Sequence, residues 1–277
     1  MLGTCLQLRL SLPSQNSFSP SPLSLTIRTQ ANPFLLRLLH RFTNLTSLKL
    51  TCSVSVLNEL LVQISRFILN LTSLDVSLQS RTFPANGMQT FRGNKIITLT
   101  TLILSNSASL DGSDLLLIAY SFPNLQRLDL KDCRDTSEEG IVHLLRTCCN
   151  ITHLNLTRCS RQTLSEMNFE ISKLEVLNLS RTSVDDKMLL VISNSCRRLL
   201  QLILCYCSYV TEKGVRPLVE NCPQLREINV RGCYKANICE VLSMVPSRPP
   251  LREITYNVTK EAIIVREITC RCYGFSD

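Results

Sequence analysis

The amino-acid sequence predicts an α/β solenoid, because a short strand motif, a nearly constant period and a helical segment recur together along the chain. The motif Leu-x-x-Leu-x-Leu, with conservative substitutions, begins nine times, and successive starts lie between 23 and 28 residues apart. The starting residues are Leu45, Leu71, Leu99, Leu125, Ile151, Leu174, Leu199, Leu225 and Leu251. One such unit cannot bury its own apolar edge, so the units must stack. The period and the motif together are typical of a leucine-rich repeat solenoid.

Each unit is expected to form a strand followed by a helix that returns the chain to the next strand. In the unit that begins at Leu125, Thr136 and Glu139 have the spacing of a capping box, directly before an apolar run with helical periodicity. Similar N-terminal caps are predicted at Asp111, Asp185 and Thr211. The strands should therefore form a right-handed, curved parallel sheet on the concave face, with the helices on the convex face.

The regular solenoid is predicted to span residues 45–258, and the two ends depart from it. Residues 1–44 are interpreted as atypical N-terminal repeats or a frayed segment, with strand patterns at 8–10 and 25–27 and a helix-like run at 34–39. This start is Ser-rich and contains no acidic residue before Glu59, a composition that also occurs in organelle transit peptides. The strand patterns favour folded repeats. Residues 79–98 are expected to be an irregular excursion, and residues 259–277 a C-terminal cap or tail.

The cysteines recur at two positions of the repeat. Counting the first residue of each motif as position 1, position 9 holds four of the 14 cysteines, Cys133, Cys159, Cys207 and Cys233. Three more precede the next motif by three residues, in a slot that other units fill with Phe or Ile: Cys148, Cys196 and Cys222. A slot that accepts Cys, Phe and Ile is a packing position, where a free Cys acts as a small hydrophobic residue. Core thiols predict a reducing compartment, so we expect the protein to be cytoplasmic or nuclear.

The unit that begins at Leu199 resembles the cysteine-containing leucine-rich repeats of F-box/LRR proteins. The resemblance rests on the strand that ends at Cys207, on Val210-Thr211-Glu212-Lys213-Gly214-Val215 and on Asn221-Cys222-Pro223. It implies a protein-interaction scaffold that recognises substrates of an SCF-type (cullin-RING) ubiquitin ligase in ubiquitin-dependent protein degradation. We find no F-box in this sequence, so the resemblance implies a cullin adaptor as partner only if an F-box is supplied elsewhere. The alternative is an intracellular or immune-receptor-type LRR domain that senses a ligand and has no ubiquitin-ligase role.

Catalytic chemistry is not expected. The three histidines, His40, His143 and His153, have no repeated partner spacing, and the chain lacks a glycine-rich phosphate loop. Of the pair Cys205 and Cys207, Cys207 should point inward and Cys205 outward, which argues against a zinc site. No apolar run reaches the roughly 18 residues of a membrane span. We therefore expect no enzyme activity, no metal, no cofactor, and neither nucleic acid nor a membrane as partner.

The candidate binding site lies on the concave face, because positions 3, 5, 7 and 8 of each strand should point away from the leucine core. Apolar and aromatic side chains rimmed by arginine are typical of interface hot spots, and arginine suits carboxylate or phosphate recognition. The candidate partner-binding residues are Lys131, Arg158, Val176, Arg181, Ile203, Tyr206 and Arg231. With a net charge of +8, a protein substrate that is acidic or phosphorylated is the expected partner. A solvated basic rim without a partner is the alternative interpretation.

Overall fold

The computed structural model describes residues 7–11, 23–29, 44–67, 70–76, 83–84, 87–159, 170–237, 240, 251 and 253–256. The chain forms two compact units, Met1–Ile151 and Thr152–Asp277. The helix expected at 34–39 and the tail 259–277 lie outside the described residues. No helix in the described part of the chain is long and apolar enough to cross a membrane.

In the first unit, strands and helices alternate along the chain. The strands are β1 Gln7–Ser11, β2 Leu23–Thr29, β3 Leu45–Cys52, β4 Ser73–Val76, β5 Thr101–Ile103 and β6 Arg127–Asp129. The helices are α1 Val54–Phe67, α2 Gly112–Ser121 and α3 Glu138–Thr147, with a short 3₁₀ helix at Met88–Phe91. Strands β2 to β6 pair in parallel, each with the next one along the chain.

The first strand pair departs from the all-parallel sheet expected from the repeat. Strands β1 and β2 are antiparallel, with Leu8 opposite Ile27. Only residues 12–22 separate them, whereas a parallel crossover needs roughly a dozen or more residues. The two strands therefore pair as a hairpin.

The second unit repeats the strand–helix alternation. Its strands are β7 His153–Asn155, β8 Val176–Asn178, β9 Gln201–Ile203, β10 Glu227–Asn229 and β11 Glu253–Thr255, and its helices are α4 Asp186–Ser195 and α5 Glu212–Asn221. The strands pair in parallel, and the register places the same repeat position of every unit side by side. Equivalent side chains therefore form rows across this sheet.

The apolar core consists of the recurring strand residues and the cysteine slots. Leu202 and Leu204, at positions 4 and 6, are fully buried, as are Cys133 and Cys207 at position 9. The predicted packing role of position 9 is confirmed, and the thiols also donate hydrogen bonds. The Sγ atoms of Cys133, Cys207 and Cys233 lie 3.2, 3.2 and 2.9 Å from the position-6 carbonyl oxygen of the preceding unit. Position 9 thus links successive repeats while it fills the core.

The helix caps agree with the sequence at three helices. Asp111, Asp185 and Thr211 each accept a backbone N–H bond from the first turn of α2, α4 and α5. The capping box predicted at Thr136 is wrong. Ser137 caps α3 by accepting from the backbone N–H of Gly140, and the Thr136 hydroxyl instead donates to the carbonyl of Cys133 at 3.0 Å. Thr136 and Ser137 both carry a hydroxyl that could cap α3. The turn after Cys133 places the Ser137 hydroxyl, and not that of Thr136, at the start of the helix.

Residues 79–98 also contribute to the core. This segment was expected to be an irregular excursion, and in its described part a 3₁₀ helix buries Met88 and Phe91. The ring of Phe91 meets that of Phe122 edge to face, with the ring centroids 5.1 Å apart. Two bulky side chains in a single tight turn thus supply what a longer amphipathic helix supplies elsewhere.

Candidate protein-binding face

The second unit presents two adjoining surfaces built from its strands. We call positions 3 and 5 of β7–β11 the strand face and the residues that follow each strand, from position 7 to position 11, the turn edge. In β7–β10, side chains at positions 3 and 5 are half-buried, as at Gln201 and Ile203, because neighbours in the same rows shield them. Most side chains at position 8 are exposed, as at Arg181 and Tyr206.

Asparagines at position 5 fix the turns that begin the turn edge. The Oδ1 atoms of Asn155, Asn178 and Asn229 accept hydrogen bonds from the backbone N–H two residues later, at 3.1, 3.0 and 3.1 Å. Asn155 and Asn178 also accept from the hydroxyl of that same residue, each at 2.7 Å. A side-chain oxygen that bonds to the backbone two residues on is a stable turn former. These turns orient the side chains at positions 7 and 8.

In six successive repeats, those that begin at Leu99, Leu125, Ile151, Leu174, Leu199 and Leu225, the residue at position 8 has a left-handed backbone. Of these six residues only Gly232 is a glycine. The φ angle is 57° at Arg158, 58° at Arg181, 61° at Tyr206 and 75° at Gly232. Bulky side chains rarely adopt this conformation. It is supported here by a ladder of backbone hydrogen bonds, in which the N–H of each of the three residues donates to the position-7 carbonyl of the next repeat at 2.7–3.0 Å. The ladder holds each side chain outward on the turn edge.

Arg181 and Tyr206 form a cation–aromatic pair across two repeats. The guanidinium carbon of Arg181 lies 4.4 Å from the centre of the Tyr206 ring. On the other side, a Cβ atom at Gly232 would come within 2.5 Å of a ring carbon, so glycine allows the ring to pack against its backbone. Tyr206 is therefore enclosed by its two neighbours in the position-8 column and remains 38% exposed.

A second cation–aromatic pair lies further along the same loops. The ammonium nitrogen of Lys235 is 5.3 Å from the centre of the Tyr209 ring. Both residues occupy position 11 of successive repeats, and Tyr234 beside them is 74% exposed. These residues are not among the predicted site residues, because only strand positions up to 8 were expected to face a partner. Position 11 is aromatic in one repeat and cationic in the next, and this adjacency was the signal that could have identified them.

The predicted site residues are divided between the two units. Lys131 belongs to the first unit, whereas the other six belong to the second. The structure brings Arg181 and Tyr206 into contact. Ile203 lies between Asn178 and Asn229 in the position-5 row, and Val176 lies in the position-3 row beside Gln201.

Arg158 and Arg231 occupy the turn edge at positions 8 and 7, and with Arg181 and Lys235 they are its cations among the described residues. Arg158 is exposed, and the backbone N–H of half-buried Arg231 donates to Asn229. Apart from Lys131, the predicted cations lie on the turn edge, and the predicted apolar residues Val176 and Ile203 lie among polar side chains on the strand face.

In the first unit, position 5 of two neighbouring strands carries charged side chains. Lys49 and Asp75, both at position 5, form an ion pair between β3 and β4. Within the described residues, no group of three or more His, Cys, Asp or Glu side chains could hold a metal ion. Of the described cysteines only Cys149 is exposed, and burial raises the pKa of the half-buried Cys205 thiol on the turn edge. The described surfaces of the strands and of the turn edge can therefore bind a partner through hydrogen bonds and ion pairs.

Comparison with known proteins agrees with this architecture. F-box/LRR-repeat protein 4 from Bos taurus is 33% identical over 141 residues, which is 49% of this chain and 22% of that protein. Antagonist of mitotic exit network protein 1 from Saccharomyces cerevisiae is 32% identical over 100 residues, which is 35% of this chain and 18% of that protein. The chain therefore spans only about a fifth of the length of these curated relatives.

A solved structure supports the fold, and no protein-family model matches the chain. The crystal structure of the yeast Rad7 and Elc1 complex contains a chain that superposes with a TM-score of 0.62 at 16% identity, covering 85% of this chain and 70% of that one. At this identity the likeness concerns the fold alone. The recurring motif and the parallel strand–helix units make this a chain of cysteine-containing leucine-rich repeats, and about half of it is similar in sequence to F-box/LRR-repeat protein 4.

Proposed function

We propose that the chain is the substrate-recognition part of an SCF-type ubiquitin ligase and that it binds its substrate through the turn edge and strand face of the second unit. The observation that carries the proposal is the Arg181–Tyr206 pair, which the position-8 backbone ladder holds at the surface. Tyr and Arg are the residues most enriched in interface hot spots. The similarity to F-box/LRR-repeat protein 4 supports the link to ubiquitin ligation. Contact with a cullin adaptor requires an F-box supplied elsewhere.

The test asks whether the proteins that bind the chain in cells are also the proteins whose degradation depends on it. Proteins captured by the tagged full chain are compared with those captured by Tyr206→Ala and Arg181→Ala, each expected to weaken capture by about 1 kcal/mol or more. Proteins that the natural chain captures and these variants do not should have longer half-lives when the chain is depleted. Inhibition of cullin-RING ligases should lengthen the same half-lives.

Tyr120→Ala is the matched control. Tyr120 is an exposed tyrosine on α2 of the first unit, and it carries Lys95 4.6 Å from its ring centre. Its removal should leave capture unchanged. If the captured proteins have half-lives indifferent to chain depletion and to cullin-RING inhibition, the chain is a ligand-sensing repeat domain without a ligase role.

A further inference from the structure

The turn edge of the second unit presents mainly hydrogen-bond donors. A guanidinium that stacks on a ring through its flat face keeps its N–H groups free in the plane, as at Arg181 over Tyr206. Lys235 adds an ammonium group near Tyr209, with three further donors. The amide oxygens of Asn178 and Asn229 bind backbone N–H groups, so the NH₂ side of each amide is directed away from its turn.

Three carboxylates just beyond the turn edge already accept hydrogen bonds from the chain itself. Asp185 Oδ1 accepts from the N–H of Met188 at 2.9 Å, and the two oxygens of Asp186 accept from the N–H and the hydroxyl of Thr211 at 2.8 and 2.6 Å. Backbone N–H groups of Glu212 itself and of Asn237 hold the pKa of the Glu212 carboxyl below its ordinary value. These carboxylates thus serve helix N-termini and loop backbone. The surface left to a partner is rich in donors and in positive charge.

The arrangement of Tyr206 argues against a nucleic acid as the occupant. Single-stranded nucleic acids bind by stacking bases on free aromatic faces. One face of the Tyr206 ring is covered by Arg181, and Gly232 packs against the ring from the following repeat. Lys235 likewise lies over Tyr209. At Tyr206 and Tyr209 the ring therefore holds a cation in place, and the cation supplies the hydrogen-bond donors for a partner.

We propose that the turn edge centred on Arg181, Tyr206, Tyr209 and Lys235 binds an acidic segment of a partner protein. Asp and Glu carboxylates are acceptor-only groups, and Arg181 can bind one of them through two parallel N–H bonds. The proposal rests on the recognition role above and names the class of segment recognised. It is tested with the purified chain alone, so its outcome is independent of any link to ubiquitin ligation.

The test is fluorescence anisotropy with the purified full chain and a labelled peptide of about ten residues that alternates Glu with Gly, long enough when extended to cross several strand spacings. The same peptide with Gln in place of Glu should bind at least about tenfold more weakly, and added salt should weaken the acidic peptide alone. Arg181→Gln and Lys235→Gln should each weaken acidic-peptide binding at least about fivefold. Tyr206→Ala should do the same because Arg181 loses its support, whereas Tyr206→Phe should retain binding.

Lys95→Gln is the charge-matched control, since it removes an equal charge from the cation–aromatic pair of the first unit. It should leave binding unchanged, and circular dichroism should show every variant folded. Equal losses for Lys95→Gln and Arg181→Gln would reduce the effect to net charge and overturn the proposal. Equal binding of the Glu and Gln peptides, binding only by a phosphorylated peptide, or stronger binding of a single-stranded oligonucleotide would overturn it as well.

Discussion

At the scale of single residues, position 9 shows how the core accommodates polar atoms. Where the residue is Cys, its thiol donates to a buried carbonyl, as Cys207 does to Leu179. Thr182 takes the place of Cys in its own unit, and its hydroxyl donates to the same carbonyl at 2.6 Å. Ser107 is fully buried, and its hydroxyl has no hydrogen-bond partner within the described part of the chain. One repeat position therefore holds both a satisfied and an unsatisfied hydroxyl.

Removing these two hydroxyls should have opposite effects on stability. Ser107→Ala should raise the free energy of unfolding by about 1 kcal/mol, because a buried unpaired hydroxyl costs about 1–3 kcal/mol. Thr182→Val, which keeps the side-chain shape, should lower it by about 1 kcal/mol. Chemical denaturation of the full chain measures both. A loss of stability at both sites would mean that Ser107 has a partner in solution, such as a water molecule.

At the scale of elements, glycine sets the distance between neighbouring helices. Gly214 in α5 faces the start of α4, and a Cβ atom there would lie 2.4 Å from Asp186 Oδ1 and 2.8 Å from Asp186 Cα. Gly140 in α3 has the same relation to α2, where a Cβ atom would lie 3.0 Å from the Cα of Gly112. Helices that touch at a backbone atom cannot adjust by rotating a side chain. In α3 and α5, the glycine three residues after the cap is thus a packing residue.

Gly214→Ala should destabilise the protein by about 2 kcal/mol or more, because the inserted methyl group must push two packed helices apart. Gly93→Ala is the control. Gly93 has a φ of 85° and open space around its missing side chain, so alanine there carries only the left-handed backbone cost of about 1–2 kcal/mol. Shifts in the thermal midpoint, converted with the unfolding enthalpy of each variant, compare the two. A Gly214 variant of unchanged stability would show that α4 and α5 have room to separate.

At the scale of the whole molecule, buried thiols make stability depend on alkaline pH. Burial raises the pKa of Cys148 and Cys196 to about 12 and that of Cys222 to about 11. Unfolding lowers each to the ordinary thiol range near 8.5. Below that range both states are protonated and stability is constant. Above it the unfolded state loses protons that the folded state keeps, so stability falls as the pH rises towards the folded pKa.

The fall should reach up to about 1.4 kcal/mol per pH unit for each thiol. Denaturant midpoints between about pH 8 and 11 should therefore decline more steeply for the natural chain than for Cys196→Val, which removes one titrating group. Alkylation of the native protein, followed by peptide mapping, gives a second readout. Exposed Cys149 should react first and its buried neighbour Cys148 only after unfolding. Parallel pH curves for the two proteins would contradict this assignment.

The sequence predicted the repeat, the core slots and most caps, because each depends on residues close together in one unit. Asp111 and Asp185 could be recognised as caps from local chemistry alone, and the buried cysteines from their shared column. The β1–β2 hairpin was not predicted, because strand direction depends on the conformation of the connection. The Tyr209–Lys235 contact was missed for a similar reason, since it joins two loops whose approach depends on the register of the strands beneath them.

The left-handed position-8 column bears on how such a scaffold could change over time. Glycine would relieve the backbone strain at Arg158, Arg181 and Tyr206, by about 1–2 kcal/mol each. Sequence averaging across the units, or engineering for heat resistance, would therefore favour glycine at these sites, and every such replacement would erase a side chain from the turn edge. A variant with glycine at all three positions would therefore gain stability and lose the side chains that distinguish one partner from another. Because the supporting ladder uses only backbone atoms, exchange among non-glycine side chains would leave it intact and allow partner preference to diverge repeat by repeat.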